Sequence, residues 1–363
     1  MKIGIITFHR VINYGGVLQA YALQQAMQSL TNNDEIEIVD YINPHFEQQY
    51  APFSVSMLRH PKSLLMKLSL AKYKKQRNQK FSYFVCNNLK LGGNRISRKE
   101  LPAACAKYSK LVTGSDQVWN PQCTGEDFTY FLDIDCAAEK FSYAASFAVE
   151  KLDTKYDKRV KKCLEQFVKI SVREHSGAEI VRELVDKQAV ILPDPTLLLE
   201  ATDWEKLEIK PGNIPDKYIL IVQMGGEIDD LYRQARKVHA NLPIVYINLA
   251  QKPVEGLVNI CVASPEEWLY LLHHAECVVT NSFHGCVFSV LFHKNFYYEL
   301  TKGKNSNSRL VTLAKTLGLE DRNVTVLSEN NVQKAIDYVK VEEELNKLRQ
   351  SGYQYLKDII GES

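Results

Sequence analysis

The sequence lacks negative charge over a long stretch of its first third. Between Gln48 and Lys99 there is no Asp or Glu, although the stretch holds twelve Lys and Arg residues. Leucines and a methionine are interspersed among the basic residues from Arg59 to Lys80, a pattern typical of a basic amphipathic helix. Such a helix either contacts an anionic surface, of lipid or of a polyanionic substrate, or lies solvated on the outside. Nucleic acid is disfavoured, because the sequence shows no nucleic-acid-binding motif.

Three further absences narrow the class of protein. No apolar run approaches the roughly 18 residues of a membrane-spanning helix. The first residues lack the basic segment, apolar stretch and small-residue cleavage site of a signal peptide. The eight cysteines are scattered, without a C-x-x-C pair or the ligand spacing of a zinc site. We therefore expect a soluble, cytosolic protein with buried free thiols and no metal.

Strand-like and helical segments alternate along the whole chain of 363 residues, which predicts an α/β fold. This length accommodates two domains of roughly 150 to 200 residues each. We predict two doubly wound, Rossmann-like domains that face a central cleft. Their predicted boundaries are a first domain at 1–200 with a basic helical insert at 55–99, a linker at 201–216, a second domain at 217–330 and a C-terminal helix at 331–363.

Polar residues follow several predicted strands of the first domain. They are Asn13, Gly15 and Gly16 after residues 3–8, Ser115, Asp116 and Gln117 after residues 110–113, and Arg173 within residues 170–174. Because sheets of this kind bind ligands at the carboxyl ends of their strands, all seven are candidate ligand contacts. Alternatives stay open: Asn13 and the glycines can serve the turn alone, and Asp116 can cap a helix. The loop lacks G-x-G-x-x-G, so a dinucleotide is not indicated.

A histidine, His284, stands at a strand-to-helix switch in the second half of the chain. An apolar strand precedes Asn281, and an apolar helical segment follows Gly285. Asn281 or Ser282 would cap that helix, and Gly285 permits a close approach at its first turn. A helix N-terminus favours an anion, and imidazole titrates near neutrality, so the position suits proton transfer to a phosphorylated substrate. A histidine that only caps the helix is equally compatible with this pattern.

Three more candidates belong to the predicted second domain. Gln223 ends its first strand, and Lys304 and Arg309 lie in a polar, basic loop at 302–309. A guanidinium can bind a carboxylate or phosphate through two hydrogen bonds, a geometry that lysine cannot copy. For both arginines a structural interpretation is also open: Arg309 can be a solvated loop residue, and Arg173 can pair with Glu174 or Asp194.

Five separated blocks of the sequence resemble the polysaccharide pyruvyltransferase family. They are 13–23, Gly114-Ser115-Asp116-Gln117-Val118-Trp119-Asn120, 171–174 with 192–196, Asn281-Ser282-Phe283-His284-Gly285, and 307–309. No block is decisive alone, whereas five in this order are specific. The resemblance covers nearly the whole chain and implies a glycosyltransferase-B-like arrangement. It also implies transfer of a pyruvyl group from phosphoenolpyruvate to a sugar of a bacterial surface polysaccharide or its lipid-linked precursor, with formation of a pyruvate ketal.

The resemblance implies roles for the candidate residues. His284 would donate and accept the protons of ketal formation, and Asp116 would activate a sugar hydroxyl. The other candidates would bind substrate, with the acceptor on the first domain and phosphoenolpyruvate on the second, and no cofactor would be needed. Many family members carry an arginine two residues before the histidine, where this chain has Ser282. Arg309 and Lys304 are therefore the candidates for the missing anion contact.

Two other functions remain open from the sequence. The same fold could serve a glycosyltransferase that uses a nucleotide sugar, although no Glu-based ribose signature follows the strands of the second domain. A glycan-binding or scaffold protein without activity is a third interpretation, prompted by Ser282. For the enzyme, the basic segment 59–80 suggests a peripheral contact with the inner face of the membrane, where a lipid-linked acceptor would lie.

Overall fold

The computed structural model describes residues 1–51, 64–225, 227–248, 253–301, 307–325 and 334–361. The chain forms two compact units. Unit 1 comprises Met1–Tyr50, Ser82–Leu199 and Asn346–Ser363, and unit 2 comprises Ala51–Phe81 and Glu200–Leu345.

Unit 1 is built on a five-stranded parallel sheet with helices between the strands. Its strands are β1 (Lys2–Ile6), β2 (Glu35–Ile38), β3 (Lys110–Thr113), β4 (Glu139–Ser142) and β5 (Phe167–Lys169), with a separate pair β6 (Ser171–Val172) and β7 (Val190–Ile191). Its helices are α1 (Tyr14–Gln28), α2 (Pro44–Tyr50), α4 (Leu101–Cys105), α5 (Pro121–Thr124), α6 (Asp157–Leu164) and α7 (His175–Val185), together with parts of α3 (Leu64–Asn88) and α13 (Tyr338–Ile360). The strand order β2-β1-β3-β4-β5 reverses direction between β1 and β3. In doubly wound sheets this switch point is where ligands bind.

Unit 2 repeats the architecture with a different strand order. Its strands are β8 (Ile219–Val222), β9 (Ile244–Ile247), β10 (Val258–Ile260), β11 (Cys277–Thr280) and β12 (Asn295–Tyr298), and its helices are α8 (Ala201–Glu205), α9 (Asp229–Val238), α10 (Pro265–His273), α11 (Phe283–Leu291) and α12 (Ser308–Leu317). The parallel order β10-β9-β8-β11-β12 places the switch point between β8 and β11. The central strands are buried throughout, as expected for apolar strands covered on both faces.

The sequence also predicts a strand over 141–147, and this strand is shorter in the structure. The strand predicted over 141–147 ends at Ser142, because Ala144 and Ala148 have positive φ angles of 45° and 53°. Ala145 still pairs with both Asp116 and Val172 through isolated bridges. The segment after β4 therefore joins the chain that follows β3 to the chain that carries Arg173.

The unit boundaries differ from the predicted domains at both helical ends. The basic insert predicted at 55–99 is divided, because α3 lies in unit 2 up to Phe81 and in unit 1 from Ser82 onward. The C-terminal helix is divided too, and its last turns belong to unit 1, where Leu356 and Ile359 are buried and Lys110 Nζ donates to the Ile359 carbonyl at 2.6 Å. The predicted linker at 201–216 contains α8.

Only part of the basic segment 59–80 lies within the described residues. Arg59 and Lys62 lie outside the described residues. Near its end Arg77 is buried, and Lys80 Nζ donates to the Glu267 carboxylate at 2.6 and 2.8 Å, whereas Lys72 and Lys75 are exposed. At least one positive charge of this segment, that of Lys80, is therefore paired with a carboxylate of unit 2. Among the described helices, none combines the length and the apolar character required to cross a membrane.

The start of α10 allows a direct test of local stability. Ser264 Oγ accepts from the Glu267 N–H at 3.1 Å, and the Glu267 carboxylate accepts from the Ser264 N–H at 2.7 Å, which forms a capping box. The sequence Ser264-Pro265-Glu266-Glu267 predicts a helix start with a serine cap at this place. We expect Ser264→Ala to lower the free energy of unfolding by about 1 kcal/mol, measured by urea denaturation. Ser264→Thr keeps the cap and serves as the control. Equal stability of the alanine and threonine variants would contradict the prediction.

Candidate functional site

The candidate residues of unit 1 meet at its switch point, between the segments that follow β1 and β3. The Gln19 side chain joins them: its Nε2 donates to Thr7 Oγ1 at 2.8 Å, and its Oε1 accepts from the Ser115 N–H at 2.9 Å. Gln19 and Thr7 are both buried. Sequence reasoning missed both, because a glutamine inside a helical pattern carries no local sign of a contact 96 residues away.

Of the three candidate residues that follow β1, Asn13 precedes a helix, and Gly15 and Gly16 lie in its first turn. The sequence predicted Gly15 and Gly16 to end a loop, but α1 begins at Tyr14. The Asn13 Oδ1 accepts from the Gly16 N–H at 3.2 Å, so Asn13 caps α1, whereas the structural alternative left open above was a turn. An N-cap satisfies backbone donors that the helix itself leaves unpaired.

Asp116 has an unusual backbone conformation beside this turn. Its φ is 68° with ψ at −170°, a region that residues other than glycine rarely occupy and that costs about 1–3 kcal/mol. Its carboxylate lies 3.8 Å from the position that a Cβ on Gly16 would take, and 3.8 Å from Arg173 Nη1. The carboxylate thus faces Arg173 rather than the short helix formed by Gln117–Trp119. Held strain of this kind is frequent at functional sites.

Arg173 is held in a buried ion pair. Its Nη2 donates to Asp194 Oδ2 at 2.7 Å and to Ser115 Oγ at 2.5 Å. The pairing with Asp194, which the sequence left open, is therefore the one observed. Glu174 Oε1 instead accepts from Ser146 Oγ and from the backbone N–H groups of Phe147 and Ala148. Arg173 fixes Ser115 and Asp116 together, and direct substrate contact by Arg173 stays a prediction.

The switch point of unit 2 is organised by two polar side chains. Asn281 Oδ1 accepts from the Met224 N–H at 2.6 Å, which ties the segment after β11 to the segment after β8. Gln223 Oε1 accepts from the Tyr246 hydroxyl at 2.8 Å, and Gln223 Nε2 donates to the Gly225 carbonyl at 3.2 Å. Both candidates, Asn281 and Gln223, therefore hold the loops at the carboxyl ends of the strands in place.

Ser282 and Gly285 set the first turn of α11. Ser282 Oγ accepts from the Gly285 N–H at 3.2 Å, so of the two predicted caps Ser282 is the one used, and the helix begins at Phe283, earlier than predicted. A Cβ on Gly285 would lie 2.5 Å from Thr280 Oγ1, a hydroxyl that donates to the Val222 carbonyl at 2.6 Å. Only glycine allows the strand and the helix to approach this closely.

The imidazole of His284 and the guanidinium of Arg309 both lie beside the ring of Phe283. Its ring meets that of His284 edge to face, with centroids 5.1 Å apart, and Arg309 Cζ lies 5.5 Å from its centroid. His284 and Arg309 are each only 7% exposed. Arg309 belongs to the first turn of α12, not to a loop as predicted, and Lys304 lies outside the described residues. Sequence reasoning named both partners but not Phe283 as the residue that connects them.

This arrangement offers two chemical functions within unit 2. A guanidinium near the N-terminus of α11 favours an anionic ligand, and the imidazole beside the same ring has nitrogen atoms that can donate or accept a hydrogen bond. Unit 1 offers the carboxylate of Asp116 beside a serine and a capped helix start. Each set lies at the carboxyl edge of its own sheet, as the sequence predicted.

The fold is similar to those of several solved structures at low sequence identity. A putative UDP-N-acetylglucosamine 2-epimerase from Listeria monocytogenes has 12% identity and a TM-score of 0.50, over 100% of this chain and 97% of that one. UDP-GlcNAc 2-epimerase from Neisseria meningitidis, bound to UDP-GlcNAc, has 11% identity and a TM-score of 0.48 over 100% and 99% of the chains. E. coli heptosyltransferase WaaC with ADP has 10% identity and a TM-score of 0.41 over 96% and 100%. The first likeness supports the predicted glycosyltransferase-B-like α/β fold.

Family membership follows from the sequence match. No curated protein matches the chain significantly. Residues 13–298 match the family model described as polysaccharide pyruvyl transferase, and this range holds all the candidate residues except Lys304 and Arg309. The match covers well over half of the chain and confirms the resemblance drawn from five short blocks. The chain therefore belongs to the polysaccharide pyruvyl transferase family and is a transferase.

Proposed function

We propose that the donor is phosphoenolpyruvate and that unit 2 binds it. The observation that carries this proposal is that the buried side chains of His284 and Arg309 both lie beside the Phe283 ring, at the N-terminus of α11. Phosphoenolpyruvate carries a carboxylate and a phosphate, and a guanidinium can bind either through two hydrogen bonds. Arg309 thereby supplies the anion contact that Ser282, occupied as the helix cap, does not. Lys304 is a second proposed contact.

The reaction needs protons moved at defined atoms. The enol phosphate gains a proton at its methylene carbon, and its C2 becomes oxocarbenium-like. One sugar hydroxyl bonds to C2 and loses its proton, the bond from C2 to the phosphate oxygen breaks, and a second hydroxyl then closes the ketal with loss of its own proton. His284 is the group proposed to deliver the first proton, and general acid catalysis of this kind contributes about 10² to 10⁴ in rate. None of these steps requires a metal or a cofactor.

We propose that the acceptor sugar belongs to a bacterial surface polysaccharide, such as a capsule or exopolysaccharide, or to its lipid-linked precursor, and that it binds unit 1. Asp116 accepts a proton from a sugar hydroxyl in this proposal, and Arg173 positions it. Asn13, Ser115 and Gln117, with Gly15 and Gly16, supply the surrounding polar edge of the sheet. Carboxylate, amide and hydroxyl groups are suitable hydrogen-bonding partners for a sugar.

The proposed location is the cytoplasm, with a peripheral contact at the inner face of the membrane through 59–80. All eight cysteines are free, which suits a reducing compartment. Lys72 and Lys75 are exposed and available to an anionic surface, whereas Lys80 is paired with Glu267. A membrane contact would place the enzyme beside a lipid-linked acceptor.

Donor binding is tested by calorimetric titration with phosphoenolpyruvate. We expect Arg309→Lys to weaken binding about 10- to 100-fold, because a charged hydrogen bond contributes about 1.5–3 kcal/mol and lysine cannot reproduce the paired contact. Arg233→Lys is the control, since Arg233 forms an exposed pair with Asp230 in the same unit. Binding of a nucleoside diphosphate sugar, with none of phosphoenolpyruvate, would instead establish the glycosyltransferase alternative.

Transfer itself is tested with galactose- and mannose-type acceptors. The expected result is release of phosphate together with a pyruvyl mass gain on the acceptor. Failure over a broad acceptor panel, combined with no binding of phosphoenolpyruvate, would overturn the proposed function.

A further inference from the structure

Two adjacent histidines and a glutamate lie together at the other edge of the unit 2 sheet from His284. Helix α10 ends at His273, and β11 begins shortly afterwards at Cys277, so His273 and His274 are at the amino edge of the sheet. His284 follows the carboxyl end of the same strand. A strand of four residues spans about 13 Å, which separates this cluster from the proposed donor site.

The side chains of the cluster converge on one carboxylate. His273 Nδ1 lies 2.8 Å from Glu208 Oε1, and His274 Nε2 lies 3.1 Å from Glu208 Oε2. One nitrogen from each ring and one oxygen of Glu208 all lie within 4.8 Å of one another. The Glu208 side chain is 10% exposed, whereas His274 is 44% exposed. The cluster is therefore anchored on a nearly buried carboxylate and is open to solvent on one side.

The two histidine rings of the cluster are each stacked on an aromatic ring, and the backbone at Glu208 is held by a turn. The His273 ring stacks on Phe292 with centroids 4.6 Å apart, and the His274 ring stacks on Tyr270 at 4.0 Å. The Glu208 N–H donates to the Glu205 carbonyl at 3.2 Å in the turn after α8. Ligands whose rotamers are already fixed lose little entropy when they bind an ion.

We propose that Glu208, His273 and His274 form a binding site for a divalent transition-metal ion, with Zn²⁺ as the best fit. Two imidazoles and one carboxylate, with a fourth position left to water, is a ligand set that zinc takes in proteins. Ligand atoms about 2.0–2.1 Å from a tetrahedral zinc ion are roughly 3.3 Å apart. The observed separations of 2.8 and 3.1 Å join the two rings to different oxygens of Glu208. Because the three ligand atoms lie within 4.8 Å of one another, binding requires side-chain shifts of at most about 1.5 Å.

The surroundings supply a second carboxylate and one opposing charge. Glu205 Oε1 lies 3.9 Å from His273 Nε2, the ring nitrogen that faces away from Glu208. A carboxylate behind a metal-binding histidine orients the ring and raises its basicity. Lys294 Nζ donates to the His273 carbonyl at 2.7 Å and opposes a cation, but burial lowers the pKa of this amine. The two carboxylates outweigh it.

The position of the cluster determines what the ion does. It joins the turn after α8 to the end of α10, two segments far apart in the chain. The ion therefore stabilises unit 2 and takes no part in proton transfer at His284, so the inference does not depend on the proposed donor. Transfer activity is expected to survive chelation at temperatures where the protein stays folded.

The test uses the full chain without a polyhistidine tag, stripped with a chelator and titrated with Zn²⁺ and with Co²⁺. We expect one equivalent of Zn²⁺ to bind and to raise Tm, since a ligand of the native state stabilises it. Glu208→Gln and His274→Gln should each lower Zn²⁺ affinity at least 100-fold. Glu205→Gln keeps all three ligands and should lower it about 10- to 100-fold, which keeps the test open if a ligand variant fails to fold.

The matched control is His293→Gln. His293 also pairs with a glutamate of unit 2, with Nε2 2.9 Å from Glu342 Oε1, but outside the cluster, and its replacement should leave Zn²⁺ affinity unchanged. The Co²⁺ spectrum should show nitrogen and oxygen ligands. Three results would overturn the site: no stabilisation of the wild-type chain by Zn²⁺, unchanged affinity in Glu208→Gln and His274→Gln, or a thiolate charge-transfer band, which would assign binding to cysteines.

Discussion

Replacement of His284 by glutamine is expected to lower kcat by about 10² to 10⁴, the contribution of a general acid or base in the transition state. The imidazole lies in the first turn of α11, is 7% exposed, and meets the Phe283 ring that also contacts Arg309. Glutamine has a similar size and remains polar, but it cannot exchange a proton near neutral pH. The measurement is the initial rate of phosphate release with phosphoenolpyruvate and acceptor.

Binding and chemistry are separated by a second readout. Arg309 remains in place in His284→Gln, so calorimetric affinity for phosphoenolpyruvate should change much less than kcat. His239→Gln is the control, because His239 is exposed at the end of α9 in the same unit. A His284→Gln enzyme with wild-type kcat would remove the histidine from the chemistry and would favour the interpretation of a cap residue only.

Replacement of Arg173 by methionine is expected to lower the free energy of unfolding by about 3–5 kcal/mol, the cost of removing one partner of a buried ion pair. Arg173 is 4% exposed and Asp194 1% exposed, with Nη2 and Oδ2 2.7 Å apart. The variant leaves the Asp194 carboxylate buried without its guanidinium, although Thr196 still donates to it. Urea denaturation measures the loss of unfolding free energy, and the loss concerns unit 1 because both residues of the pair lie there.

The exposed pair of Arg95 and Glu47 provides the matched control. Its atoms are also 2.7 Å apart, but both side chains are about half exposed, so Arg95→Met should cost at most about 1 kcal/mol. Replacing both Arg173 and Asp194 by apolar residues should restore much of the lost stability, because no buried charge is then left alone. If Arg173→Met instead raised KM without destabilising the protein, Arg173 would be a substrate contact, as the family resemblance implies.

Local features could be predicted from neighbouring residues alone. Ser264, Pro265 and Glu267 specify the start of α10 because a hydroxyl, a fixed φ and a carboxylate satisfy its first backbone donors, and the structure has that capping box. Ser282 was one of two predicted caps for α11, and it is the one used. The apolar run of β3 was predicted with its observed bounds, 110–113.

Contacts between distant residues could not be predicted in the same way. Nothing near Arg173 distinguishes Asp194 from the adjacent Glu174 as its partner; the choice depends on β6 and β7 lying side by side, which directs the two side chains to one place. The cluster of Glu208 with His273 and His274 escaped for the same reason, since 65 residues separate its acid from its first base. The spacing of a sequence motif predicts a metal site only when its ligands lie in one short segment.

The sequence by itself determined the α/β class, most strand and helix positions, the family, and the chemical types of the candidate residues, because periodicity, capping and short motifs depend on near neighbours. Only the tertiary structure decided that Asn13 is a cap, that Arg173 pairs with Asp194, and that Phe283 joins His284 to Arg309. It also decided the strand orders and the return of the last helix to unit 1. These outcomes depend on which buried surfaces and charges meet when distant segments pack, and that energy is not contained in any single segment.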